Sequence, residues 1–366
     1  MANAADAPAD RSTLRKIATA ICLLAVGGLF LGVARQSWAA STDDQAVVNL
    51  EADGAEMMHP MTSLLSELVM AQSAAVRGEP LDNEKLRSAI DAVTEPDGEY
   101  GAALSTTDRL DNLRAQVESA VASGVTGEQA YAIWSSIVDL CVDLIHVIGD
   151  TSQLVHDPDL DAYYLMDGAI VRLPRAMVYA GRAADLVALA DGEQLAGEAL
   201  VQAAVARFNV SLDAEQVLTG LTTSVDFTER SELGTNIAPR LDTFRSAADD
   251  FAPPTMLQEL ATEVDAATIA DSASRVFAAA ASLSHLLLGE LQALLQIRTE
   301  EIEQQRRATI ASSAAAGLLG LAIAWLVLAA RRPRPAPVDE PTPVSPAPGA
   351  AGDLAGAGAR RGGHAR

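Results

Sequence analysis

Between residues 41 and 305 the apolar positions recur every three or four residues. The clearest run is QAYAIWSSIVDLCVDLIHVIGD (129–150), where Ile133, Ile137, Leu140, Cys141, Leu144, Ile145 and Ile148 share one face. Asp139, Asp143, His146 and Asp150 fall on another. Abundant Ala and Leu, with few Val/Ile/Thr runs, argue for helix over strand. Turn-forming residues interrupt the pattern at 77–84 (RGEPLDNE), 94–101 (TEPDGEYG), 123–129 (SGVTGEQ), 154–167, 191–194 (DGEQ) and 251–255 (FAPPT). The pattern predicts an all-α fold: an elongated antiparallel helical bundle of about seven or eight helices joined by short turns.

Two stretches lack any charge and are apolar on every face, Ile17–Ala34 and Ala308–Ala330. Each is long enough to cross a hydrocarbon core of roughly 30 Å as a helix. The expected organisation is a cytoplasmic N-terminus (1–16), a transmembrane helix (17–34), an extracytoplasmic domain (41–305), a second transmembrane helix (308–330) and a disordered Pro/Ala/Gly-rich cytoplasmic tail (331–366). The second span is expected to continue the last helix of the domain, because no Pro or Gly interrupts the junction.

Charge supports this topology. Arg11, Arg15 and Lys16 precede the first span and Arg331–Arg334 follow the second, so both flanks are expected inside. Residues 37–305 hold 14 basic and 44 acidic residues, a net of −30 within a chain of net −23. Such a domain is unsuited to nucleic acid and is repelled by anionic lipid. The first run is read as a retained anchor, with SWA before Ala40 offering a cleaved-signal alternative. Localisation is therefore a membrane with the main domain outside the cytoplasm. The two cysteines do not form a framework: Cys22 lies in the first apolar run and Cys141 on an apolar helix face.

The most concentrated chemistry is LVHDPDLDAYYLMD (154–167), with Asp157, Asp159, Asp161, Tyr163, Tyr164 and Asp167, followed by Arg172 and Arg175. The aspartate spacing superficially suits a calcium loop, but Ala162 and Gly168 occupy the positions that need glycine and glutamate. A helix start explains it better. Asp157 is an N-cap, Pro158 suits the first turn, and Asp159 complements the helix dipole. Tyr163, Met166 and Ile170 would share a buried stripe. Asp167 and Arg172 are five apart, a poor pair on an α-helix, which leaves Arg172 for a partner elsewhere. Pro174 should bend or end the helix locally.

LVHDPDLDAYYLMDGAIVRLP closely resembles a signature of extracytoplasmic sensor modules in bacterial methyl-accepting chemotaxis receptors and membrane histidine kinases. The segment 50–79 is similar to the first helix of those modules, with Glu51, Gly54, Pro60, Leu64, Gln72 and Arg77 at matching places. LQALLQIRTEEI (291–302) is similar to the helix that leaves them for the membrane. The resemblance implies a sensor-like domain in a bacterial cell membrane, with Arg77 and the motif residues Asp157, Asp159, Asp161, Tyr163, Tyr164, Asp167 and Arg172 as ligand-site candidates. Val76 stands where the family usually carries a histidine. No HAMP linker, methyl-accepting hairpin or kinase motif follows the second span, so signalling is expected to pass to an associated membrane protein. The alternative is an envelope structural or assembly factor built on the same bundle.

No paired acid, base and nucleophile is visible, so no enzyme, metal site or cofactor is expected. Gly28 and Gly32 in the first span, and Ser312, Ala316, Gly320 and Ala324 in the second, form small-residue faces suited to helix packing in lipid. The implied partners are the membrane, an unidentified small molecule or membrane protein, and a second copy of the chain.

Overall fold

The computed structural model describes residues 11–154, 160–190, 197–228, 232–253 and 266–329. All regular structure among them is helical: α1 (Arg11–Arg77), α2 (Asn83–Leu104), α3 (Thr107–Ser123), α4 (Gly127–Thr151), α5 (Leu160–Met166), a π-helical segment (Asp167–Arg172), α6 (Leu173–Leu189), α7 (Gly197–Phe227), α8 (Leu233–Phe251) and α9 (Ala266–Ala329). The chain divides into two units, Met1–Ala315 and Ala316–Arg366, and the division falls inside α9. Tail residues 331–366, the N-terminal 1–10, and Asp157 and Asp159 lie outside the described residues.

Most of the expected breaks fall between helices. The break expected at 94–101 does not: it lies within α2, which carries Pro96 in its interior. Leu86, Ile90, Val93, Asp97, Gly101 and Leu104 continue one buried stripe across the proline. Burying those side chains, at about 1.5–3 kcal/mol for each large aliphatic, outweighs the lost backbone bond. The helix ends later, where Ser105 turns left-handed (φ 57°) and the Thr106 N–H caps the Gly101 carbonyl. A further break separates α7, which ends at Phe227, from α8, which begins at Leu233, and the sequence marks it only with polar residues.

The core of the first unit is laid down by α1, α4, α6 and α9. Met57, Met58, Met61, Leu64, Leu65 and Leu68 of α1 are buried, as are Trp134, Ile137, Cys141, Leu144 and Ile148 of α4. Helix α1 packs against α2, α4 and α6, while α7 packs against α5, α6 and α8. Helix α9 contributes Val276, Leu283, Leu287, Leu288 and Leu291 and is tied to α1 by the Gln292 side-chain amide, which donates to the Ala55 carbonyl (3.4 Å). His59 of α1 and His285 of α9 stack at 6.1 Å, 13° apart in plane. Loss of water around both rings holds their pKa values below the ordinary histidine range. Burial likewise pushes the Cys141 thiol upward, and the thiol is unbridged.

Among the described residues, two helical stretches are long and apolar enough to cross a membrane: Gly127–Thr151 (mean hydropathy 1.6) and Ala267–Ile323 (1.3). The first is α4, whose apolar face is packed in the core. The second contains the exposed Leu318, Leu319 and Leu321, and Trp325 and Leu326 of α9 follow it, also exposed. The stretch 17–34 lies within α1, and apart from its glycines its side chains are outside the described residues. A Cβ placed at Gly28, Gly32 or Gly320 would meet no atom within 4 Å. Ser312 is exposed and Ala316 half-buried, while the Ala324 side chain is not described.

Candidate functional site

The motif residues converge on a local departure from α-helical geometry. At Asp167–Arg172 the backbone widens to π-helix, and the Leu173 N–H donates to the Gly168 carbonyl five residues back. Pro174 explains where the irregularity falls. Its missing N–H leaves the carbonyl five residues earlier, that of Ala169, without an intrahelical donor. Ser284 of α9 supplies one, its hydroxyl donating to the Ala169 carbonyl at 3.2 Å. Thus the proline neither ends the helix nor leaves a polar group stranded.

The wider turn corrects the expectation for Asp167 and Arg172. Residues five apart come onto one face when the register is i→i+5. The Arg172 Nε therefore donates to both Asp167 oxygens, at 3.1 and 3.3 Å. Arg172 also reaches a partner elsewhere, with Nη1 3.4 Å from Asp213 Oδ1 on α7. Arg175 approaches the other Asp213 oxygen at 3.6 Å. Asp213 is completely buried. Desolvation raises its carboxyl pKa, opposed by the two guanidinium groups.

Asp161 sits at the start of this run. Its backbone carbonyl accepts from Ser224 of α7 (2.8 Å), and its carboxylate lies 3.6 Å from Arg298 of α9. The tyrosines diverge as adjacent helical residues must. Tyr164 packs over Gly220 of α7, where a Cβ would come within 2.8 Å of its ring. Tyr163 is exposed and meets Tyr164 edge-on at 5.2 Å. The buried stripe is thus Ala162, Leu165, Met166, Ala169 and Ile170, and Tyr163 is not part of it. The register set by Tyr164 against Gly220 turns Tyr163 outward.

Asp167 and Arg172 therefore pair directly and Tyr163 and Tyr164 touch, while Asp161 pairs instead with Arg298 of α9. Arg77 is not among them. It closes α1 at the far end of α6 and lines a cleft of about 330 Å³ with Val69, Met70 and Ser73 of α1, Gly181 of α6 and Phe277 of α9. The walls are mainly apolar, and among the described lining residues Arg77 is the one charged group. Its Nη2 is 3.0 Å from Glu79, both side chains being well exposed.

Beneath the cleft, Asp185 is fully buried and accepts from Gln72 Nε2 (2.7 Å) and Ser73 Oγ (2.6 Å). Burial raises its carboxyl pKa. The Ser73 and Gln72 hydrogen bonds, and the charges of Arg77 and Arg182, oppose the rise. The Gln72 side-chain oxygen is buried with no hydrogen-bond partner. A helix contact this close needs Gly181, since a Cβ there would lie 2.5 Å from Val69 Cγ1. Chemically, the cleft offers apolar contact, a hydroxyl acceptor in Ser73 and one guanidinium at the rim. Among its described lining residues there is no paired nucleophile and base.

Sequence reasoning missed Asp213, Arg298, Asp185 and Ser73. A signal was present for the acids. Asp213 interrupts the stripe Ala206–Val210–Asp213–Val217, and Asp185 follows Met177 and Gly181 at four-residue spacing. A carboxylate at a core position needs a partner, and that need marks it. No protein-family model matches this chain, and no curated protein or solved structure is significantly similar to it.

Proposed function

We propose that the chain is a membrane-anchored, sensor-like protein of the bacterial cell membrane, its 41–305 segment an antiparallel bundle outside the cytoplasm. A small ligand carrying an anionic group occupies the cleft, and the resulting shift in α1 and α9 is read by an associated membrane protein. One observation carries this reading: the cleft walls come from α1, α6 and α9, and α1 and α9 are the helices that also contain the apolar residues 17–34 and 308–329. Occupancy there acts on both helices at once. A volume of about 330 Å³ lies at the small end of ligand sites, which suits a metabolite rather than a peptide.

The test uses the full chain in detergent, screened by thermal shift against small organic anions and neutral metabolites. A ligand at a hundred times its Kd adds about 2.7 kcal/mol. We expect at least one anion to raise Tm and Arg77→Ala to abolish the rise. A screen in which Arg77→Ala changes no response removes the cleft from the reading. Protease applied to intact cells should cut 41–305 and spare a C-terminal tag, and a protected middle segment overturns the topology.

A second reading, a structural or assembly factor of the cell envelope, is favoured by the mutual pairing of the motif charges. Asp161, Asp167, Arg172, Arg175, Asp213 and Arg298 act there as clamps between helices and hold no ligand. It predicts an envelope defect on deletion and no ligand response.

A further inference from the structure

Helix α7 is inverted relative to an ordinary surface helix. Its inward face carries Ala203, Ala206, Arg207, Val210, Asp213 and Val217. Its outward face carries Val201, Val205, Phe208 and Leu212, which are 60%, 52%, 57% and 38% exposed. The inward charges are accommodated: Arg207 donates to the Phe251 carbonyl at 2.6 Å, and Asp213 meets two arginines. The outward apolar side chains have no such explanation among the described residues. Four large ones in a row form a contiguous apolar patch, which on a soluble surface marks an interaction site.

Their spacing narrows the partner. The steps are four, three and four residues, the a/d seam of a coiled coil. The pattern reads the same in both chain directions. A second α7 can therefore meet it in either orientation, Val201 opposing Leu212 and Val205 opposing Phe208 when antiparallel. A two-fold interface requires this kind of self-complementary patch.

Charge narrows it further. Between Glu198 and Glu215 the exposed residues of α7 are Val201, Gln202, Val205, Phe208, Ser211 and Leu212, none of them ionisable. Two copies of a chain of net −23 repel each other over most of their surface. They can approach along a strip that holds no charge.

We infer that the outward stripe of α7 is a homotypic interface through which two copies of this chain associate. Four side chains make the centre of an interface smaller than a standard one, so the dimer is concentration-dependent. The inference is independent of the cleft and of any ligand.

The experiment measures the mass of the full chain in detergent by light scattering and sedimentation over a range of concentrations. Three forms are compared: the parent, Phe208→Glu, and Thr222→Glu, which places the same charge on the same helix outside the stripe. The parent should dimerise, and Thr222→Glu should match it. Phe208→Glu should raise the dissociation midpoint at least tenfold while its helical circular dichroism, and its Tm measured below the parent's dissociation midpoint, stay at the parent values. A nitroxide at Ser211 should give a narrow inter-spin distance in the parent and in Thr222→Glu, and none in Phe208→Glu.

A parent that is monomeric throughout overturns the inference. So does a dimer that Phe208→Glu leaves intact, which would place the contact elsewhere, the apolar helices included. A monomeric parent whose stripe captures a different protein, lost in Phe208→Glu, also overturns the second copy as occupant. Failure here leaves the cleft reading untouched, because neither variant touches Arg77 or Ser73.

Discussion

The two ends of the α5–α6 run meet the rest of the molecule in opposite ways. At the N-terminal end, four acidic and basic groups on the run itself (Asp161, Asp167, Arg172, Arg175) close against one another and against Asp213 and Arg298. At the C-terminal end, Gly181 and Asp185 sit under an open cleft whose rim holds Arg77. The first end is rich in charge, and its charges are paired across helices. The second is poor in charge and faces solvent. A conspicuous cluster of ionisable residues can thus be architecture, while the open cleft is lined by Val, Ser, Gly and Phe, which no sequence scan singles out.

The sharpest way to break this contrast is at Asp213. Asp213→Ala should cost about 3 kcal/mol, the lower part of the range for one partner removed from a buried pair, since both arginines keep some access to water. Chemical denaturation of the full chain in detergent measures it. A cost below about 1 kcal/mol would mean that the clamp is ornamental and the motif free for another role.

Next come the two close glycine contacts, one at each end. Gly181→Ala and Gly220→Ala should each fall in the overpacking range of about 1–3 kcal/mol. The cleft-end variant should cost more, because Val69 is β-branched and fixed at χ1, whereas the Tyr164 ring can swing toward solvent. The reverse order in thermal melts would show the motif end to be the stiffer one.

The histidine pair between α1 and α9 sharpens the comparison from the side of the cleft walls. Both folded pKa values are depressed, so the unfolded chain binds protons first as pH falls through about 6.5. Stability is full above that pH and declines below it. Water reaches both rings and screens them, so the decline should stay under about 1 kcal/mol. Melts between pH 7.5 and 5.5 should show it, and the His59→Gln/His285→Gln double variant should flatten the profile. A parent profile already flat in that window would remove the pair as a pH-sensitive contact.

The smallest effect belongs to Arg77. Its side chain and that of Glu79 are exposed, and such pairs contribute little. Arg77→Ala should shift unfolding by less than about 0.5 kcal/mol while removing any anion response. A large loss of stability would make Arg77 a structural residue like its counterparts at the other end.

Helical periodicity, the low β-branched content and the apolar runs carried the all-helical fold, and most turns could be read from Gly and Pro. Pro96 could not, because a local breaker competes with a buried stripe whose depth is a tertiary fact. The Asp167–Arg172 pair was unreadable for a related reason. An ideal α-helix separates residues five apart, and only the π register, relieved at Ala169 by Ser284 from over a hundred residues away, brings them together. The cleft was legible at one residue, Arg77. Its other walls are ordinary helix residues until α1, α6 and α9 are assembled.

Buried Cys141 turns the fold into a clock. Its thiol is enclosed in α4 and disfavoured as thiolate, so an alkylating reagent reaches it only when the core around α4 opens. With Cys22 replaced by serine, the chain would carry a single internal stopwatch. The rate at which the label appears at saturating reagent is then the rate of that opening. The helix that passes a membrane-span test on length and hydropathy thereby becomes the place from which the lifetime of the native core can be timed without denaturant.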